Sequence, residues 1–276
     1  MEIFNLKKYF EFLENNQIKE ANEYRASFVP EYIYKYISLS NDKSTNELKF
    51  SSLENNQIWF SAPSCLNDPY EFKGMEINRE ELIKKGMTDS KIDEVLSFIK
   101  SVFVACFSGD VSNQNQMWAY YANNHQGLCL KYKVNNKKAI RNVIYEPVSI
   151  DITKIFTQFV ECANILENSK DNNIEIIQKL KIYSILLLDM YFIKQARWKG
   201  ENEFRLILPK GDLAGTECGE NKKSNDYGLQ LCEVYCGLKC SEENKNRTSE
   251  ICRKLNVPCK QCQMGDIGGI PGVISY

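Results

Sequence analysis

The residues best suited to chemistry lie between Cys106 and Tyr132. Cys106-Phe107-Ser108 precedes a polar spacer, and then comes Met117-Trp118-Ala119-Tyr120-Tyr121-Ala122-Asn123-Asn124-His125-Gln126-Gly127-Leu128-Cys129-Leu130-Lys131-Tyr132. A short helix-like segment between two apolar, strand-like runs thus carries a tryptophan, two tyrosines, two asparagines and the chain's single histidine. That density of rings and amides suits a pocket that stacks a flat ligand and hydrogen-bonds its edges. Trp118 and Tyr121 are three residues apart and share a helix face. A core-facing aromatic pair explains the same spacing. One histidine supports neither a catalytic triad nor a histidine-rich metal site. His125 and Gly127 also suit a helix end that turns into the next strand.

Three further groups could act with this one. In Arg197-Trp198-Lys199-Gly200-Glu201-Asn202-Glu203-Phe204-Arg205, the alternation of a strand puts Glu201, Glu203 and Arg205 on one face. Two carboxylates beside a guanidinium form an ion-pair network. A carboxylate next to another also has a tunable pKa, which general acid–base catalysis needs. A solvated edge competes equally. In Ile33-Tyr34-Lys35-Tyr36, the same alternation puts both tyrosines on one face and Lys35 on the other, as a ligand contact or as an edge strand with a solvated lysine. Asn67-Asp68-Pro69-Tyr70-Glu71 forms a turn through side-chain-to-backbone hydrogen bonds. It follows an apolar strand directly, where ligand-binding loops tend to sit. The chain contains no Walker loop, Gly-x-Gly-x-x-Gly, Gly-x-Ser-x-Gly or His-Glu-x-x-His. P-loop, Rossmann, α/β-hydrolase and zincin chemistry therefore find little support.

The elements that must position these groups follow from periodicity. Leu6, Tyr9, Phe10 and Leu13 mark an amphipathic helix. Strands are predicted over Tyr32–Ile37, Gln57–Ser61, Val102–Phe107, Gly127–Val134, Asn142–Tyr145, Glu203–Leu208, Leu231–Cys236 and Val257–Cys262. Helices are predicted over Ser44–Asn56, Asn78–Lys100 with a break near Gly86, Asn113–Asn123 and around Ser241–Leu255, and two more within Ile150–Trp198. The second of those two bears Ile182, Ile185, Leu186, Met190 and Ile193 as an apolar stripe for the sheet. Gly211–Asp226 reads as a polar loop. The expectation is one α+β domain over 1–276, with seven or eight short strands in a central, split, antiparallel-rich sheet flanked by helices. Within it, 1–28 is an N-terminal helix, 29–210 a core and 211–276 a strand–helix–strand extension.

Composition agrees with a globular chain. The 276 residues are 43% hydrophobic and 26% charged. Lysine and arginine total 35 against 36 aspartates and glutamates, which argues against a general nucleic-acid footprint but leaves room for a local basic groove. The absence of a signal-like N-terminus or a long apolar run leads us to expect a cytoplasmic protein with no membrane partner. Eleven cysteines fit reduced thiols. A zinc reading would join Cys259 and Cys262 to a pair from Cys232, Cys236 and Cys240. Only one Cys-x-x-Cys is present, so no metal ligand is assigned.

Taken in order, Tyr34-Lys35-Tyr36, Asn67-Asp68-Pro69-x-Glu71, Cys106-Phe107-Ser108, Trp118-x-x-Tyr121-x-x-x-His125-x-Gly127-x-Cys129 and Trp198-x-x-Glu201-x-Glu203-x-Arg205 resemble a bacterial family catalogued as domain of unknown function 2971. The resemblance spans roughly Tyr32 to Cys262. More distantly, the order of elements is similar to the catalytic core of ADP-ribosyltransferases. That resemblance implies NAD as substrate, with Glu203 as the catalytic carboxylate and Glu201 orienting or deprotonating the acceptor. It also implies Tyr121 or Trp118 stacked on nicotinamide, Ser108 hydrogen-bonded to it, and Lys35 or Arg205 at the pyrophosphate. Tyr34, Tyr36, Asn67, Asp68 and His125 complete the implied binding set. The acceptor would be a protein, a nucleic acid or water, in a toxin or anti-phage effector. Lys35 stands where that superfamily carries His or Arg. The alternatives are a nucleotide sensor without turnover, or a metal-dependent nuclease built on Asp68, Glu71 and Glu203.

Overall fold

The computed structural model describes residues 4–40, 43–66, 68, 75–110, 114–146, 150–168, 173–210, 218–263 and 273–275. The chain opens with two helices, α1 (Leu6–Glu14) and α2 (Ile18–Ala26). Then come β1 (Tyr32–Ile37), α3 (Lys43–Glu54), β2 (Gln57–Ser61) and the short β3 (Met75–Glu76). Helices α4 (Arg79–Lys84) and α5 (Asp89–Lys100) precede β4 (Val102–Ser108), α6 (Gln114–Tyr121) and β5 (Leu128–Val134). Three short strands follow, β6 (Arg141–Asn142), β7 (Ile144–Glu146) and β8 (Ile150–Asp151), and lead to α7 (Thr153–Asn168) and α8 (Ile174–Leu188). The last part comprises β9 (Ile193–Gln195), β10 (Glu203–Pro209), β11 (Gly219–Lys223), β12 (Leu229–Cys236), α9 (Glu242–Leu255), β13 (Cys259–Cys262) and β14 (Val273–Ser275).

The described residues form a mixed α/β fold around one ten-stranded sheet, ordered β11-β2-β4-β1-β5-β12-β13-β14, with β10 branching from β4 and β6 pairing with β10. Most pairs are antiparallel; β12 and β13 run parallel. β1 is zipped to β5 along its whole length, from Tyr32 opposite Lys133 to Ile37 opposite Leu128. β4 is likewise held by β10, from Ser108 opposite Glu203 to Val102 opposite Pro209. By contrast, β4 meets β1 through a single registered pair, Tyr34 with Ser108, and meets β2 through another, Ser61 with Val104. The sheet therefore has a seam.

Strand alternation sends β4 into two cores at once. Phe103, Ala105 and Phe107 join a cluster with Ile33, Phe60, Leu130, Tyr132 and Leu206. Val102 and Val104 join a second cluster with Leu82, Ile92, Phe156 and Tyr191. Registered on β10 against β4, Glu203 and Arg205 share the face of Ser108 and Cys106. The polar groups of the strand are thus set on the face that carries the second core, beside the seam.

Several expectations change. Fourteen strands stand among the described residues, against seven or eight expected. The region read as one strand from Asn142 is broken into β6 and β7 at Val143. β11 lies inside the segment read as a polar loop and pairs with β2 along Gly219–Lys223. Its sequence, Gly-Glu-Asn-Lys-Lys, carries no apolar alternation, because the strand closes a sheet edge. Helix α8 stops at Leu188, so Met190 and Ile193 leave its stripe. Ile182, Ile185 and Leu186 pack against Tyr9, Leu13 and Ala21 of the N-terminal helices instead of the sheet. No described helix is long and apolar enough to cross a membrane.

Candidate functional site

A cleft of about 380 Å³ opens along the seam. β1 contributes Tyr34, Lys35 and Tyr36; β4 contributes Cys106, Phe107 and Ser108; α6 contributes Met117, Tyr120 and Tyr121. Lys194 of β9 enters with Glu201 and Glu203. All three residues of Tyr34-Lys35-Tyr36 reach the opening, although alternation puts Lys35 opposite the tyrosines. The reason is that β1 leaves its edge toward β4 almost unpaired.

The carboxylates are fixed by a turn that strand alternation does not anticipate. Glu201 is not on the strand; it ends a 3-10 turn over Ala196–Glu201. Asn202 follows in the left-handed region at φ 44°, a conformation asparagine tolerates better than most side chains. Its Nδ2 donates to Asp110 Oδ2 at 2.7 Å, and its carbonyl accepts from Gly109 N at 2.7 Å. The Ser108 hydroxyl lies 2.8 Å from the Glu201 carbonyl and 2.9 Å from that of Asp110. Tyr145 adds its hydroxyl to the Glu203 amide at 2.8 Å. Ser108 therefore clamps the turn.

Within this turn the two carboxylates converge on one cation. Lys194 Nζ donates to Glu201 Oε2 at 2.6 Å and to Glu203 Oε2 at 3.2 Å. Arg205 grips Glu203 through Nε at 2.7 Å and Nη2 at 2.8 Å, and donates from Nη1 to the Tyr191 carbonyl at 2.6 Å. The Tyr121 hydroxyl donates to Glu201 Oε1. Burial alone would raise the Glu203 pKa, but Arg205 and then Lys194 outweigh it and hold the carboxyl at about 2. Burial wins at Glu201, where Glu203 adds to it and Lys194 opposes it, and the carboxyl stays above its ordinary value. Two neighbouring carboxylates with pKa values pushed apart can divide acid–base roles, one staying ionised and the other taking a proton. Across the cleft, Lys35 donates to the Cys106 carbonyl at 3.3 Å and sits 5.1 Å from the Phe107 ring centre. Burial lowers its pKa below the ordinary lysine value.

The sequence-derived residues divide between the cleft and its supports. Tyr34, Lys35, Tyr36, Ser108, Tyr121, Glu201 and Glu203 line the cleft. Arg205 is fully buried behind Glu203, with its guanidinium committed to that carboxylate and to Tyr191. Trp118 is buried against Tyr36, edge to face at 5.3 Å, in a cluster with Cys129, Tyr235 and Cys262. His125 stacks on Trp118 at 5.8 Å and belongs to a left-handed turn over Asn123, Asn124 and His125. Its carbonyl accepts from Lys239 N at 2.9 Å. Gly127 ends this turn where a Cβ would come within 2.0 Å of the Ile37 carbonyl oxygen, so only glycine lets β5 start beside β1. Asp68 is buried and lies outside the cleft lining. Asn67 and Glu71 fall outside the described residues.

Lys194 is the charged cleft residue that sequence reasoning missed. Its signal is a lone lysine closing the apolar run Met190-Tyr191-Phe192-Ile193, where a buried cation demands an acidic partner. Tyr145 gave no such signal.

Residues 117–206 match the model of a family described as protein of unknown function (DUF2971). The match supports that family, and the matched stretch runs from α6 to β10, so it carries Tyr121, Lys194, Glu201 and Glu203. No curated protein and no solved structure matches the chain.

Proposed function

We propose that this protein is an ADP-ribosyltransferase-like enzyme that takes NAD into the seam cleft and passes ADP-ribose to a macromolecular acceptor or to water. One observation carries the reading: Lys35, Tyr121 and Glu203, drawn from three separate parts of the chain, line a single cavity. In this reading the bond between nicotinamide and ribose C1′ breaks, and its electron pair leaves with nicotinamide. The positive charge that develops on the ribose resembles that of glycoside hydrolysis. Glu203, held ionised by Arg205 and Lys194, stabilises that charge. The acceptor oxygen then forms a bond to C1′ and gives its proton to Glu201, whose raised pKa suits a base. Tyr121 or Tyr34 offers a ring for the nicotinamide. Lys35 supplies positive charge for the pyrophosphate.

A second reading, a nucleotide sensor without turnover, draws on a different observation. The Glu203 carboxylate is already engaged by Arg205 and Lys194, and a lysine stands at position 35. Incubation of purified protein with NAD, with and without cell lysate, separates the two. Nicotinamide release or a modified product supports the enzyme; calorimetric binding of NAD without consumption supports the sensor. Neither binding nor release by folded protein removes both.

A further inference from the structure

Tyr121 is fixed in the cleft by what lies behind it. It ends α6, and Trp118, one helical turn earlier, is buried against Tyr36. Ala122 is buried in the same cluster, and the Asn123 side-chain amide donates to the Leu39 carbonyl at 2.7 Å. The half-buried Tyr121 side chain lies on the cleft side, and its hydroxyl donates to Glu201 Oε1. The other oxygen of that carboxylate accepts from Lys194 at 2.6 Å, and the same ammonium reaches Glu203. A hydroxyl, a carboxylate placed to take its proton and a cation that orients the carboxylate are the parts of an activated nucleophile. Among the described residues that line the cleft, no other hydroxyl donates to a carboxylate. That of Ser108 is taken by two carbonyls.

A second tyrosine–glutamate pair, away from the cleft, shows what sets this one apart. The Tyr235 hydroxyl donates to Glu233 Oε2, which also accepts from Lys131 at 3.1 Å, while Glu233 Oε1 accepts from Lys260 at 2.9 Å. Burial would raise that carboxyl, but Tyr235, Lys260 and Lys131 outweigh it and hold it at about 2. So acidic a group is a poor base, and neither residue lines the cleft. At Glu201 burial wins, and the carboxyl stays above its ordinary value, where it can keep a proton that it takes. The pair at the seam therefore combines a basic carboxylate with access to a ligand.

We propose that the cleft carries its own acceptor: Tyr121 takes an ADP-ribosyl group on its phenolic oxygen, with Glu201 as the base. The step rests on NAD entering the seam cleft. The bond from ribose C1′ to nicotinamide breaks, and its electron pair leaves with nicotinamide. The Tyr121 oxygen bonds to C1′, and the phenolic proton passes to Glu201 Oε1. Atoms and charge balance with no further reactant. An acceptor built into the site needs no encounter with a second molecule, so it competes with water and with outside acceptors. This role leaves the stacking of nicotinamide to Tyr34, which lines the same cleft.

The test incubates the full chain with NAD alone and follows nicotinamide release and intact mass together. The chain should gain one ADP-ribosyl group that survives denaturation, and fragmentation of its peptides should put the group on Tyr121. Tyr121→Phe keeps the ring and should lose the group, while nicotinamide release to water falls only about tenfold. Glu201→Gln should slow labelling about 10²-fold. Tyr235→Phe should label as the wild type does. Nicotinamide released from a chain that stays unmodified overturns the proposal and leaves NAD cleavage standing. So does a group mapped to another residue, one retained by Tyr121→Phe, or the same label from ADP-ribose supplied in place of NAD. The mapping on wild-type protein decides even where a variant fails to fold. Folded wild-type protein that releases no nicotinamide removes the NAD reading, and this proposal with it.

Discussion

Two buried charge networks divide this molecule, and they differ in what surrounds them. In one, Arg25 donates to Asp189 Oδ1 at 2.6 Å, and Arg141 reaches the same oxygen at 3.0 Å. The rings of Phe4, Tyr9 and Phe192 close over the Arg25 guanidinium at 4.8 to 5.8 Å. In the other, Arg205, Glu203, Lys194 and Glu201 are equally buried, but Glu203, Lys194, Glu201 and the half-buried Tyr121 border an open cavity. The sealed network ties α2 to the end of α8, which is a contribution to stability. The second contains two carboxylates and a phenol facing a volume large enough for a ligand. Burial of charge is common to both, so it does not mark a site. A cavity beside a carboxylate pair with divided pKa values does.

The comparison breaks first where the effect is largest. Arg25→Ala leaves Asp189 buried with a weaker partner and should cost about 3–5 kcal/mol of stability, read from urea unfolding, with turnover per folded molecule unchanged. A large change in turnover would mean that the sealed network reaches the site. Glu203→Gln also takes the partner from buried cations, Arg205 and Lys194, so its stability should fall by a similar amount, but here nicotinamide release per folded molecule should drop about 10²–10³-fold. Equal losses of turnover in both variants would erase the distinction.

Titration sharpens it further. Glu203 is held near 2, so its contribution is present above the ordinary carboxylate range, about 4.3, and is lost as pH falls toward 2. Glu201 is raised, so it lowers stability at neutral pH, and that penalty disappears as pH falls through its elevated value. Thermal melts across pH should show the acid arm vanish in Glu203→Gln and the neutral-pH penalty vanish in Glu201→Gln. Unchanged profiles would show that these carboxyls titrate alike in the folded and unfolded chain. The smallest expected effect is that of Tyr121→Phe, which removes one donor to Glu201. It should cost about 1 kcal/mol in stability or roughly tenfold in turnover.

Much of the frame was legible because it obeys simple periods. β1, β2, β4, β5 and β12 carry apolar and β-branched runs, α1 carries an apolar stripe, and α3 carries helix-start residues at Ser44, Thr45 and Glu47. The polar strand β11 and the break of α8 at Asp189 were not legible, because both are set by distant partners, β2 in one case and Arg25 with Arg141 in the other. The same holds within the cleft. Tyr121, Glu201 and Glu203 stand out by type and spacing. Lys194 carries only the signal of a lone lysine ending an apolar run, and its partners are fixed by the 3-10 turn that precedes β10. Arg205 looks like a ligand-binding residue in sequence, yet register against Cys106 puts it in the interior as the clamp on Glu203. Trp118 and His125 likewise look like pocket residues, and packing makes them the wall behind Tyr36.

The central claim is that the seam cleft receives NAD. Calorimetric titration of the wild-type chain with NAD, repeated on Tyr121→Ala and on Arg25→Lys at matched folded fraction, tests it most directly. The account predicts one saturable NAD site per chain, weakened in Tyr121→Ala and unchanged in Arg25→Lys. An absence of binding heat from folded wild-type protein, or binding that Tyr121→Ala leaves intact, would contradict it.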